Sequence, residues 1–329
     1  MTIAWVIGAR GMLGSAITRA IGTRPGWSIY DSESIDWTLS SEGLSVASER
    51  MAVALFEEAA RSGESWSIIW AAGAGATSSS VELFAGELSQ LEGVLAGIEK
   101  ASPSSRTPGQ LFYASSAGGV YAASEWPPFT EESVPAPISP YGDFKLAAER
   151  AFHSTAKRMG IPSLDGRIAN LYGPGQRLEK LQGIISHIAL ARLTERPASI
   201  YVPLDTLRDY IYVDDCAALI LAALDRLMVE GGQVTKILCS GQATTIATLL
   251  GLFRAVTHGR PRVVLGSSSA SALQAHDLRL RSTVWPDLDR AQSTGLPAGI
   301  SATVADILAT IQRGTTSPAV QPGSVRTRS

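Results

Sequence analysis

Tyr141 and Lys145 stand four residues apart in Ser139-Pro140-Tyr141-Gly142-Asp143-Phe144-Lys145. The run that follows, Leu146-Ala147-Ala148-Glu149-Arg150, is strongly helix-forming, and Pro140 suits a first helical turn, where its missing N–H costs nothing. Residues at i and i+4 share one helix face, so the phenol and the ammonium reach the same space. A free phenol, with a pKa of about 10, is a poor base at neutral pH, and a fixed cation beside it lowers that value. The chemistry on offer is proton transfer. Ordinary surface helices carry the same pair, so its meaning depends on the elements that position it.

The first of these is Gly8-Ala9-Arg10-Gly11-Met12-Leu13-Gly14, between the apolar run Ile3–Ile7 and a helical stretch from Ser15 to Ile21. A buried strand, a glycine-rich turn and a helix N-terminus occur here in the order a dinucleotide site requires. Such a turn aims backbone N–H groups and the helix dipole at a pyrophosphate. The spacing G-x-x-G-x-x-G also suits a tight turn whose glycines are purely steric. A second strand, Trp27–Tyr30, ends at Asp31, where a carboxylate would bond the adenosine ribose of NAD, while Arg10 could instead pair with the 2′-phosphate of NADP. These two residues leave NAD and NADP both open. Asp36-Trp37 offers either an adenine edge or a buried aromatic.

Further on, Met51–Ala60 reads as a helix, and Trp66–Trp70 as a strand ending in Ala71, Ala72 and Gly73, small enough to admit a flat cofactor. Glu82–Lys100 is a long amphipathic helix. Gln110–Ala114 is a strand that ends in Ser115-Ser116-Ala117-Gly118-Gly119-Val120-Tyr121, and hydroxyls at the carboxyl end of a central strand sit where open α/β sheets bind ligands. A loop rich in proline and glutamate, Glu125–Pro140, leads into the Tyr141–Lys145 helix. The alternation predicts an α/β fold with a doubly wound parallel sheet.

Composition narrows the function classes. With 329 residues, 45% hydrophobic and 18% charged, the chain suits a globular α/β domain plus a smaller lobe. A net charge of −2 gives no electrostatic ground for a nucleic-acid partner. No apolar run is long enough for a membrane span, and no secretory signal pattern opens the chain. The two cysteines, Cys216 and Cys239, are far apart in apolar runs, which suggests neither disulfides nor a metal site and fits a cytoplasmic setting. Residues 315–329, rich in Ser, Thr, Pro and Gly, read as a disordered tail.

Taken in order, these features resemble the extended short-chain dehydrogenase/reductases, specifically the NAD-dependent epimerase/dehydratase family of nucleotide-sugar enzymes. The resemblance rests on Gly8/Gly11/Gly14, Ala71-Ala72-Gly73, Ser115-Ser116 before Val120-Tyr121, and Tyr141-x-x-x-Lys145. It continues through Arg167-x-x-Asn170-x-Tyr172-Gly173-Pro174 and Arg208-Asp209-Tyr210. It implies a Rossmann-type domain over 1–175, rejoined by 208–228, and a C-terminal α/β substrate lobe from 176–207 and 229–314. It also implies NAD or NADP, a nucleotide-diphosphate sugar, and a homodimer built on helices Glu82–Lys100 and Tyr141–Met159. Tyr141 takes the role of acid/base. Lys145 lowers its pKa and holds the nicotinamide ribose. Asn170 and Arg208 contact the diphosphate. The active hydroxyl is displaced: many members carry it three residues before the Val, which is Ala117 here, so Ser116 takes the role, with Ser115 as the alternative. Asp214 and Asp215 read as a helix-capping pair, and His187 and His276 as structural.

The resemblance also narrows the reaction. A 4,6-dehydratase needs an acid and a base where this chain has Ala117-Gly118-Gly119. The 3,5-epimerising reductases need a cysteine near 117. What remains is an epimerase acting at sugar C4, with reduction of a 4-keto sugar nucleotide as the alternative and a non-catalytic NAD(P)-binding scaffold as the second.

Overall fold

The structure, a computed structural model, describes residues 1–73, 75, 79–101, 107–176, 183–266, 275–291 and 294–314. Its first half alternates β1 (Thr2–Ile7), α1 (Met12–Thr23), β2 (Trp27–Ile29), α2 (Ser41–Ser62), β3 (Ser65–Trp70), α3 (Val81–Ala101), β4 (Gly109–Ser116), the single turn α4 (Ala117–Val120), α5 (Pro140–Met159) and β5 (Ser163–Ile168). Then follow β6 (Asn170–Tyr172), α6 (Ile184–Thr194), β7 (Ala198–Ile200), β8 (Leu207–Tyr212), α7 (Val213–Glu230), β9 (Gln233–Leu238), β10 (Ala243–Thr245), α8 (Ile246–Thr257), β11 (Val263–Leu265), β12 (Asp277–Leu278) and α9 (Leu296–Gln312).

Six strands form one parallel sheet in the order β2-β1-β3-β4-β5-β9. Both faces are covered, as parallel strands require. Ala16, Ile17 and Ile21 of α1 join Ile220 and Leu224 of α7 in the core on one face. Leu55 of α2, Val94 and Ile98 of α3 and Phe152 of α5 fill the other. This is the expected doubly wound Rossmann-type arrangement, with one strand fewer in its first half. After β2 the chain runs through a loop and α2 directly to β3 on the other side of β1. The strand order therefore reverses between β1 and β3, and their carboxyl ends open the crevice where ligands bind.

Local signals account for the helix ends that matter. The Ser139 side chain accepts from the Gly142 N–H, Pro140 opens α5, and Gly160 ends it at φ 67°. Helix α2 begins ten residues before the expected Met51, because the Ser40 side chain caps it by accepting from Gly43 N–H.

The smaller lobe contains β10-β8-β12, with β6 also pairing β8, the pair β11-β7, and helices α6, α8 and α9 around Ile188, Leu249, Phe253 and Ile300. Strand pairing places three segments otherwise than the division expected from sequence. Strand β9, from the stretch 229–314 expected in the lobe, is the sixth strand of the large sheet, while β6 and β8 lie in the lobe sheet. Of 208–228, α7 packs on the large sheet, and Ile211 of β8 joins the same core. The reason is backbone pairing: β5 offers an open edge that only β9 fills. Residues 315–329, expected as a disordered tail, lie outside the described residues.

Candidate active site

At the carboxyl end of β1, Gly8 adopts φ 91°, and a Cβ on it would stand 2.6 Å from the Ala72 nitrogen at the end of β3. A Cβ on Gly14 would stand 2.2 Å from the Gly8 carbonyl oxygen. Only glycine fits at either place, so the two strand ends and α1 close together without a side chain between them. Helix α1 then begins without a capping side chain and without an acidic residue in its first turn. Its first internal bond runs from Ser15 N–H to the Gly11 carbonyl, 2.9 Å, which leaves the N–H groups of Met12, Leu13 and Gly14 without helix acceptors. A bare positive helix end beside a glycine turn fits a pyrophosphate.

Arg10 and Asp31 are both exposed. Asp36 spends Oδ1 on Thr38, accepting from its N–H at 3.0 Å and its hydroxyl at 2.7 Å, which holds the carboxyl below its usual range. Trp37 packs edge-on against Trp70, with centroids 5.9 Å apart. The pair anchors the loop after β2, so the expected adenine contact is not what holds these side chains in place. Ala71 continues β3 by donating to the Ile7 carbonyl at 2.8 Å, and Gly73 is exposed, with nothing among the described residues within 4 Å of a Cβ built on it.

Tyr141 and Lys145 lie on the first turns of α5. The Lys145 ammonium is buried, donates to the Ala114 carbonyl at 2.9 Å and the Tyr113 hydroxyl at 3.2 Å, and stands 5.7 Å from the Tyr141 ring centroid. Burial opposes its charge, but the phenols of Tyr113 and Tyr141 outweigh that and raise its pKa. It therefore remains a cation beside Tyr141. The Tyr141 ring lies over the short α4: a Cβ on Gly119 would come within 2.9 Å of its Cδ1. Phe84 of α3 packs its other side, at 5.8 Å between centroids.

The three small residues at the end of β4 separate by strand alternation. Ser115 is buried and donates to Glu149 Oε1 at 2.5 Å, so its hydroxyl faces α5 and is spent there. Ser115, expected as a substrate contact, thus has its proton directed to Glu149. Ala117 is fully buried in the core. Ser116 is half-buried, and its Oγ accepts from the Gly119 N–H at 3.2 Å. Because that oxygen acts as an acceptor, its proton stays available to donate outward.

Three functional-looking residues were not singled out from sequence as site residues. Glu149 and Arg167 form a buried two-pronged ion pair, 3.0 and 2.7 Å, and Arg167 also donates to the Tyr121 hydroxyl at 2.6 Å. Tyr113, on β4, is pushed up to about 12 by burial, against the pull of Lys145. The one available signal was spacing, since Glu149 continues the i+4 series from Tyr141 and Lys145.

Arg208 of β8 is buried, and its Nη1 donates to the carbonyls of Leu207, 2.8 Å, and His276, 3.4 Å. It has no carboxylate ion-pair partner among the described residues, and burial lowers its pKa. A buried guanidinium with no direct ion pair among the described residues is costly, although Asp277 opposes that cost from a distance, so the site suits an incoming anion. Asn170 uses its Nδ2 to hold the Asp209 carbonyl at 2.9 Å. Asp214 and Asp215, expected to cap α7, do not: Asp214 pairs with Arg19 at 2.6 Å, and Asp215 accepts from the Thr294 N–H and hydroxyl. His276 is exposed beside Asp205, and Arg279 folds back on Asp277. Burial lowers the pKa of His187. No cluster of three or more metal-ligand side chains occurs, and no helix is long and apolar enough to cross a membrane, among the described residues.

Comparison with known proteins agrees with this arrangement. The sequence model of the NAD dependent epimerase/dehydratase family matches residues 4–235. The chain is 33% identical over 141 residues to the dTDP-4-dehydro-6-deoxyglucose reductase of Escherichia coli, a match covering 43% of each chain. The match thus spans less than half the length of that relative. Among solved structures, it superposes on the UDP-glucose 4-epimerase of Thermotoga maritima with UDP-glucose at TM-score 0.74 and 21% identity, covering 94% of this chain and 100% of the other. The UDP-glucuronic acid 4-epimerase of Bacillus cereus with UDP-glucuronic acid and NAD superposes at TM-score 0.74 and 17% identity, covering 94% and 99%. At these identities the likeness is one of fold.

Proposed function

The chain belongs to the NAD dependent epimerase/dehydratase family, and from that premise we propose that it is a nucleotide-sugar epimerase acting at sugar C4. The observation that carries the reading is that Ser116 bonds the N–H of Gly119, against which the Tyr141 ring lies, while Lys145 bonds the Ala114 carbonyl near the end of β4, one strand from the crevice between β1 and β3. Solved 4-epimerases share the fold over nearly the whole chain, which supports it.

NAD fits the crevice, with NADP as the alternative that exposed Arg10 would favour. Gly8, Gly11 and Gly14 with the N–H groups of Met12 and Leu13 would hold its pyrophosphate, Asp31 its ribose, and Ala71, Ala72 and Gly73 would flank it. Lys145 would hold the nicotinamide ribose. When bound, the cofactor supplies a reversible hydride acceptor. Tyr141 moves the proton of the sugar hydroxyl, and the buried Lys145 ammonium stabilises the phenolate so formed. Ser116 donates its free proton to the oxygen at the reacting carbon. Arg208 takes the diphosphate, with Asn170 beside it, and supplies binding energy far from the reacting carbon. No residue at 117–119 can serve as acid or base to remove water, so the C6 hydroxyl stays in place.

A second reading, reduction of a 4-keto sugar nucleotide, needs the same groups and is favoured by one observation, the relative named as a dTDP-4-dehydro-6-deoxyglucose reductase. The outer faces of α3 and α5 support a homodimer. Glu92, Ala96, Ala147 and Arg150 line a groove of about 490 Å³ there, and Glu99 and Arg158 are ion-paired at 2.6 Å along it.

The test is to incubate the purified protein with UDP-glucose and NAD, and separately with dTDP-4-dehydro-6-deoxyglucose and NADPH. An epimerase forms the C4 epimer with no net change in reduced cofactor, whereas a reductase consumes NADPH. Full turnover by Tyr141→Phe in either assay would overturn both readings.

A further inference from the structure

The segment that presents Ser116 is short and rich in small residues, Ser115-Ser116-Ala117-Gly118-Gly119-Val120-Tyr121. A single helical turn with two glycines has little stiffness of its own. Yet the residues flanking that turn are tied to the same place. Ser115, immediately before Ser116, donates to Glu149 Oε1 at 2.5 Å. Tyr121, immediately after the turn, accepts from Arg167 Nη1 at 2.6 Å. Glu149 and Arg167 are bonded to each other through both carboxylate oxygens. Both are buried, with side-chain exposures of 6% and 9%.

We propose that the Glu149–Arg167 pair is a positioning device: it grips both ends of the Ser116 segment and fixes that hydroxyl relative to Tyr141. This rests on Ser116 and Tyr141 being the reacting pair. Glu149 lies two helical turns beyond Tyr141 and one beyond Lys145 on α5. One rigid helix therefore carries the acid/base, the cation and half of the clamp. Arg167 comes from β5, in register with Ser115 of β4, so the clamp is referenced to the sheet as well as the helix. Burying an ion pair contributes little net stability once desolvation is counted, and apolar residues of equal size often serve as well. Its partners here, one at each flank of the active hydroxyl, point to geometry as its use. Neither residue touches the substrate, and both act through Ser116.

Two variants separate positioning from stability. Ser115→Ala with Tyr121→Phe releases both ends of the segment while leaving the ion pair intact. Glu149→Leu with Arg167→Met removes the pair with no charge left buried. Each is compared with the intact protein by hydrogen–deuterium exchange of the peptide spanning 115–121, by thermal unfolding, and by kcat and KM on whichever sugar nucleotide the protein turns over. The expected result for the Ser115→Ala/Tyr121→Phe protein is faster exchange at Gly119, whose N–H bonds Ser116, with exchange elsewhere unchanged. Its kcat should fall on the order of tenfold to a hundredfold at near-constant KM. Adding Ser116→Ala should then cost much less than it does in the intact protein, since a misplaced hydroxyl has little left to lose.

Unchanged exchange at 117–121 in both variants would overturn the proposal, whatever the turnover. So would a drop in unfolding temperature with kcat per folded molecule intact, which is what a merely structural pair would give. Tyr141→Phe serves as the separate control. Its retention of turnover would sink the assignment of the reacting pair, and the exchange measurement would still decide whether the clamp orders the segment.

Discussion

Gly142 of α5 presses against Gly119 of α4: a Cβ on Gly142 would stand 2.3 Å from the Gly119 carbonyl oxygen. This contact brings the first turn of α5, and with it Tyr141, down onto the segment that Ser116 caps. A methyl group there has no flexible neighbour to displace. Gly142→Ala is expected to destabilise the protein by about 1–3 kcal/mol and to lower kcat more than KM. Gly160→Ala, in open space at the far end of the same helix, is strained only by its φ of 67° and should leave kcat per folded molecule unchanged. Denaturant unfolding and steady-state kinetics on the two variants check this, and equal kcat values would refute it.

Arg208 is a buried cation with no carboxylate partner among the described residues. Arg208→Met should therefore leave the unfolding temperature unchanged or raise it, because the desolvation cost disappears. The same change should weaken nucleotide-sugar affinity roughly 10- to 100-fold, the scale of a charge-assisted hydrogen bond. Isothermal titration with a UDP-sugar and a thermal scan provide both numbers. A loss of stability without loss of affinity would assign Arg208 to the fold.

His153 of α5 stands 2.8 Å from Asp165 of β5, whose carboxyl has no accessible surface. Burial pushes Asp165 up to about 6, and His153 is raised chiefly by its bond to Asp165. Both folded-state values lie above the unfolded ones, so the native protein holds protons that the unfolded chain releases. The stability these groups contribute is full below about pH 4 and is lost as pH rises. The Asp165 part goes through about 6, and the His153 part goes above 6.5. The intact protein should thus lose more unfolding temperature between pH 5 and pH 8 than Asp165→Asn/His153→Gln. Parallel curves would exclude the pair as the source.

Glu131 fastens the proline-rich loop. Its Oε1 accepts from the Ile237 N–H and the Ser282 hydroxyl, and its Oε2 from the N–H and hydroxyl of Thr283. Glu131→Ala leaves those donors without their acceptor and should cost about 1–3 kcal/mol. Limited proteolysis should then cut first between residues 124 and 139. An unchanged cleavage pattern would show that the loop is held by other contacts.

How much of this was legible in the sequence follows from how local each signal is. Gly8, Gly14 and the start of α5 could be read directly, because a tight turn and a helix cap are set by a few adjacent residues. The strand pairings were less visible. Nothing in Gln233–Leu238 announces that it completes the large sheet, since pairing with β5 depends on an edge seventy residues away. Which of Ser115 and Ser116 points toward α5 was likewise hidden. It turns on β4 remaining a strand through 116, which sends alternate side chains to opposite faces. Sequence shows the charge of Asp36 and not its bonds to Thr38.

Strand β9 also bears on how the chain is made. The β5 edge, Ser163–Ile168, pairs with Gln233–Leu238, so during synthesis that edge waits unpaired while the intervening residues emerge. Those residues include β6, β8 and α7, and the first two are already committed to the lobe sheet. The large sheet therefore gains its sixth strand only after β6 and β8 of the lobe have emerged, and the lobe itself is completed later still by β10, α8, β12 and α9. A fragment ending near residue 175 would carry the whole nucleotide crevice and still present a bare strand edge to its neighbours, the arrangement from which aggregation starts.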